Sequence, residues 1–83
     1  MNEKEIKRRD NIKRNFGKHV ALLRIKYKLT AEELADKTEM ERSAISRIEA
    51  GGINPSLFII TKLADAFGIS VSELMKGFNH KGK

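Results

Sequence analysis

The chain has 83 residues, no cysteine, seventeen Lys and Arg against eleven Asp and Glu, a net charge of +6 and a pI near 9.8. That length allows one small domain, the missing thiols exclude disulfides and cysteine metal sites, and the positive excess favours an anionic partner. No apolar run approaches the roughly 20 residues of a membrane span, and the opening MNEKEIKRRD lacks the apolar stretch of a secretory signal, so a soluble cytoplasmic protein is expected.

Residues 1–11 form a charged extension, with Ile6 its apolar exception, that either lengthens the first helix or makes a basic arm. Ile12, Phe16, Val20, Leu23 and Tyr27 then recur at spacings of three and four, which predicts a first helix of about four turns. Thr30-Ala31-Glu32-Glu33 is a capping-box pattern: it starts a second helix at Ala31 that buries Leu34 and Ala35 and ends near Thr38. Met40 in the following turn reads as a core plug. A third helix is predicted from Arg42 to Ala50, with Ile45 and Ile48 inward and Gly51-Gly52 to stop it. Pro55 forbids continuation, and Ser56 caps a fourth helix whose inward stripe is Ile60, Leu63, Ala64 and Phe67. Gly68 ends it. Ser70 to Glu73 repeats the capping-box pattern and opens a short fifth helix with Val71, Leu74 and Met75, closed at Gly77. The expectation is an all-α, five-helix protein: an extension over 1–11, a domain over 12–77 and a flexible tail over 78–83.

Charge is distributed unevenly. Residues 1–28 hold ten basic and three acidic side chains, residues 29–53 three and six, and residues 54–83 four and two. The second and third helices are joined by a short turn, and the third opens on basic and small polar side chains, a shape that fits the major groove of DNA. Because this pair is net acidic, the first segment must supply much of the attraction to phosphates.

Four linked motifs carry a resemblance to a known family: L-T-x-E-E-L-A at Leu29–Ala35, S-R-I-E-x-G at Ser46–Gly51, N-P-S-L at Asn54–Leu57 and G-I-S-x-x-E-L at Gly68–Leu74. Over roughly Ile12 to Met75 the chain resembles the Cro- and lambda-repressor-like, XRE-type helix-turn-helix regulators. The resemblance implies a sequence-specific binder of double-stranded DNA, a homodimeric repressor at a palindromic operator, with base contacts from Arg42, Ser43, Ser46 and Arg47. It also implies an ion pair between Arg24 and Glu49 that joins the first helix to the end of the third. Glu41 is expected at the N-cap of the third helix rather than on a base. Three positions depart from the family pattern: Ala31 replaces a frequent Gln, Ala50 a frequent Asn, and Glu39 the usual turn Gly, where a positive φ would strain it.

Thr30 with Ala31 and Ser56 with Leu57 lie at helix N-termini, whose unpaired amides favour anions, and Lys18, Lys26, Lys37 and Asn54 are further candidates for phosphate contact. Val71, Met75 and Phe78 are expected at a dimer interface. Phe58 and Ile59 stand off the inward stripe of the fourth helix, free to pair with a partner or to pack on Ile6. An enzyme is not expected: His19 and His80 are the only histidines, no paired carboxylates or glycine loop accompany them, and neither a metal site nor a cofactor is predicted. The rival reading is an antitoxin or similar module whose helix-turn-helix also engages a protein partner.

Overall fold

The computed structural model describes residues 1–81, and among them it contains five α-helices and no strand: α1 Glu3–Lys26, α2 Ala31–Thr38, α3 Arg42–Glu49, α4 Leu57–Phe67 and α5 Val71–Met75. The predicted starts of α2, α4 and α5 follow from local side-chain caps, whereas α3 starts at Arg42 without one. Thr30 Oγ1 accepts from the Glu33 amide at 3.0 Å while Glu33 accepts from the Thr30 amide at 2.8 Å. Ser56 and Ser70 accept from the amides of Ile59 and Glu73. At Ser70 only this forward bond forms, without the reciprocal half of the expected box.

The extension is helix. α1 is one unbroken element of 24 residues, so the boundary drawn between residues 11 and 12 is no break in the backbone. At 1.5 Å per residue it is about 36 Å long, which matches the molecule's longest extent of 37 Å. Its start is a capping box the sequence reading passed over: Asn2 accepts from the Glu5 amide at 2.8 Å, and Glu5 answers toward the Asn2 amide. The pattern Asn2-x-x-Glu5 was the available signal.

The inward stripes meet in one core of Phe16, Val20, Leu34, Ala35, Ile45, Ile48, Leu63, Ala64, Phe67 and Leu74, with Met40 half-buried against it as expected. Ile59 also packs half-buried on this core rather than standing off it. Phe58 does not cover Ile6; it is 69% exposed, lies beside Lys37 and Glu39, and has the Lys62 ammonium 5.1 Å from its ring centre. Phe78, placed in the flexible tail by the sequence reading, is half-buried with its ring edge-on to Phe16 at 5.7 Å. The rest of that tail continues to Lys81, and residues 82 and 83 lie outside the described residues.

Four helices end the same way. Just past the last turn of α1, α2, α3 and α4 stand Lys28, Glu39, Gly51 and Gly68, all left-handed with φ of 61°, 56°, 81° and 71°. In each case the following amide bonds back five residues: Leu29 to Arg24, Met40 to Ala35, Gly52 to Arg47 and Ile69 to Ala64, at 2.8 to 3.0 Å. This is the Schellman arrangement. Glycine enters the left-handed region freely, whereas a Cβ crowds the neighbouring carbonyl and costs about 1 to 2 kcal/mol. Glu39→Gly is therefore expected to raise stability by about 1 kcal/mol, less than the full steric cost because glycine also loosens the unfolded chain. Urea denaturation checks it; a lower midpoint would show that the Glu39 side chain makes a contact worth more than the strain.

Candidate nucleic-acid interface

α3 is amphipathic at one-residue resolution. Ile45 and Ile48 are buried to within 1% on one side, and Arg42, Ser43, Ser46 and Arg47 are all exposed on the other. The structure thus brings the four expected base readers onto one solvent face. Arg42 with Ser46, and Ser43 with Arg47, are neighbours one turn apart, so the face presents two donor-rich rows rather than four scattered groups. Arg42 and Arg47 point about 140° apart around the axis, too far for both to address one base pair. Glu41 occupies the N-cap position, but its side chain makes no hydrogen bond to the first turn of α3, unlike Asn2, Thr30, Ser56 and Ser70 at their helices.

The angle of α3 is set from behind by α1. Arg24 donates from Nε to Glu49 at 2.7 Å, from a terminal nitrogen to the other Glu49 oxygen at 3.2 Å, and from its second terminal nitrogen to the Leu29 carbonyl at 3.0 Å. Both side chains are mostly buried, at 19% and 15% exposure. The bond to Glu49 raises the Arg24 pKa further above its already high value. Three of the five Arg24 N–H groups are thus engaged within the protein. Two turns earlier Gly17 lies against the carbonyls of Ile48 and Glu49, and one turn before that the Arg14 backbone lies beside Gly51. Nothing in the sequence assigned Gly17 this role, because a single glycine inside a helical pattern is tolerated without a packing reason.

The phosphate candidates are less uniformly placed. Thr30, Lys26, Lys37, Asn54 and Ser56 are exposed and Ala31 is half-buried. At the start of α2 the Thr30 amide and hydroxyl are already taken by Glu33, whose carboxyl the Thr30 backbone bond, then the hydroxyl bond, holds below the usual range. A carboxylate therefore sits where an anion was expected, and the amides of Ala31 and Glu32 are what remain. Lys26 leans on the Tyr27 ring at 5.6 Å. Lys18 lines a shallow cleft with Asn15, Leu22 and Phe78, beside the C-terminal segment rather than beside α3. Asn54 lines a cleft with Arg8 and Arg9 of the extension, two residues that sequence reading did not place near any contact.

Val71, Met75 and Phe78 are half-buried and already pack on the protein's own core. The large apolar side chains most open to solvent beyond Met1 are Leu22, Ile25, Leu57 and Phe58. His19 donates from Nε2 to the Leu74 carbonyl at 2.6 Å, tying α5 to α1, which gives this histidine a structural task. No group of three or more metal-ligating side chains occurs among the described residues, and no helix among them is long and apolar enough to cross a membrane.

Two short helices joined by a tight left-handed turn, the second held by the first helix of the domain and polar along its outer face, define a helix-turn-helix protein. The sequence model of the helix-turn-helix family matches residues 20–74, and the chain belongs to that family, in its XRE-type branch. The chain is 36% identical over 67 residues to the control protein C.BamHI of Bacillus amyloliquefaciens, covering 80% of this chain and 83% of that one. It is 37% identical over 59 residues to the immunity repressor of Bacillus phage phi105, spanning 71% of this chain but 41% of the repressor's length. Among solved structures, the restriction-modification controller protein C.AhdI from Aeromonas hydrophila superposes with a TM-score of 0.70 at 38% identity, over 74% of this chain and 92% of that one. These relatives place the chain among DNA-binding helix-turn-helix transcriptional regulators.

Proposed function

We propose that the protein represses transcription as a homodimer at a palindromic operator in the cytoplasm, with no catalytic activity of its own. The observation that carries this is the exposed face of Arg42, Ser43, Ser46 and Arg47 on a helix whose opposite face is fully buried and whose far end is clamped by Arg24 and Glu49. Arg42 and Ser43 read base edges from the leading turn, Ser46 and Arg47 continue along the groove, and Lys26, Lys37, Ala31, Asn54 and Ser56 meet phosphates beside it. One such helix covers only a few base pairs, so a second copy about 34 Å away along the duplex supplies the rest of the specificity. Val71, Met75 and Phe78, each with an edge open to solvent, form the pairing surface.

Selection from a random duplex pool at low ionic strength tests this reading. A symmetric preferred sequence is expected, and Arg42→Ala should weaken its binding by about 5- to 150-fold while mixed-sequence DNA is bound nearly as before. Recovery of no preferred duplex would sink the proposal. Retained capture of a protein partner at salt that abolishes duplex binding would favour the antitoxin reading instead, because apolar protein contacts lack the steep salt dependence of phosphate contacts.

A further inference from the structure

The first three turns of α1 lie outside the core and carry a sorted set of charges. Lys4, Lys7, Arg8 and Asn11 fall at spacings of three and four on one face, and Glu3, Glu5 and Asp10 flank that face about 40° to 60° from its nearest cation around the helix. Among the described residues the ion pairs are Arg9–Asp10 and Arg24–Glu49, so Lys4, Lys7 and Arg8 have no carboxylate at ion-pair distance. The same face forms a cleft of about 510 Å³ with His80 and Lys81 opposite, and no acidic side chain lines it. Lys4, in the first turn, also opposes the helix dipole. Through Arg8 the cleft adjoins a second one that contains Arg9 and Asn54, so the extension leaves the domain beside the loop between α3 and α4.

We propose that this basic face of α1, Lys4, Lys7 and Arg8 with Lys81 across the cleft, grips the sugar-phosphate backbone of the duplex just outside the half-site read by α3. The proposal rests on the DNA-binding reading above. Residues 3–11 extend about 14 Å along the helix, which corresponds to about four base pairs of backbone at 3.4 Å per step. The grip adds affinity and footprint length without reading sequence, and it resolves a charge problem: residues 29–53 are net acidic, so the attraction to phosphates must come from elsewhere in the chain.

The test compares the full chain with a Lys4→Ala, Lys7→Ala, Arg8→Ala triple variant on a duplex of about 40 base pairs centred on the sequence selected from the random pool, long enough to extend past two half-sites. Alanine is the best helix former, so circular dichroism should show α1 intact. Removing three phosphate contacts should make the slope of log affinity against log salt shallower by about 2.7, so the wild type should lose about 40-fold more affinity than the variant between about 50 and 200 mM salt. Hydroxyl-radical protection should shorten by about four base pairs at each outer edge. An unchanged slope and footprint, with Arg42→Ala still lowering specific affinity, would overturn the grip and leave the DNA reading standing. A wild type that binds no duplex would overturn both. A variant that changes sedimentation but not the salt slope would assign the face to a second copy and likewise overturn the proposal.

Discussion

Gly17→Ala is expected to cost about 3 kcal/mol or more, a large share of the roughly 4 to 12 kcal/mol that stabilises a domain of this size. Two effects oppose each other at this position. In an exposed helix interior alanine is better than glycine by about 1 kcal/mol, because glycine forfeits more backbone entropy. At Gly17, however, a Cβ would overlap the Ile48 carbonyl oxygen and stand 2.6 Å from that of Glu49 and 2.9 Å from its carbonyl carbon. Those atoms are backbone, so no rotamer change relieves the overlap, and α1 must move off α3. That movement would also stretch the Arg24–Glu49 bonds two turns further along the same face. The steric effect wins, and a melting temperature lower by at least about 12 °C is the expected reading at 4 to 8 °C per kcal/mol. Gly68→Ala is the control: unlike helical Gly17 it is left-handed, but a Cβ there meets nothing within 4 Å, so only the local strain of about 1 to 2 kcal/mol is expected. Equal losses at the two glycines would refute the close-approach account of Gly17.

Arg24→Ala is expected to destabilise by about 2 to 3 kcal/mol, between the value of an exposed pair and that of a fully buried one. The guanidinium serves three acceptors, two oxygens of Glu49 and the Leu29 carbonyl, and removal leaves all three short of a partner at a site with little water. Glu49→Ala should cost less, about 1 to 2 kcal/mol, because Arg24 keeps Leu29 and its own partial exposure. Combining the two should cost clearly less than the sum, with a coupling of about 1 to 2 kcal/mol in a double-mutant cycle read by urea denaturation. Additive losses would mean that the pair is a geometric coincidence of two independently solvated charges. Arg24 fixes the far end of α3 and so the direction in which Arg42 points; under the proposed function Arg24→Ala is therefore expected to weaken specific more than mixed-sequence DNA binding.

The two substitutions show where sequence reading reached and where it stopped. Arg24 and Glu49 were implied by family resemblance, since nothing in a separation of 25 residues marks two charges as partners. Gly17 was invisible in its function because its neighbour is a backbone carbonyl more than thirty positions away. Of the proposed base readers, the exposure of Arg42, Ser43, Ser46 and Arg47 was legible from the inward positions of Ile45 and Ile48, because helical periodicity fixes both faces at once. The phosphate set was harder: Lys18 sits with the C-terminal segment, and Thr30 is occupied by its own capping partner.

What the residues determined alone was the number of helices and most of their limits, because caps such as Thr30 with Glu33, Ser56, Gly51 and Gly68 act through hydrogen bonds spanning three to five positions. Tertiary structure decided which surfaces are left over. It showed that the charged extension continues α1 and arrives beside Asn54, that Lys28 and Glu39 accept a glycine's conformation, and that Phe78 returns to the core on Phe16. The physical reason is range: capping and periodicity are local and repeat along the chain, whereas close approach, ion pairing and clefts arise between segments whose separation in sequence carries no record of their distance in space.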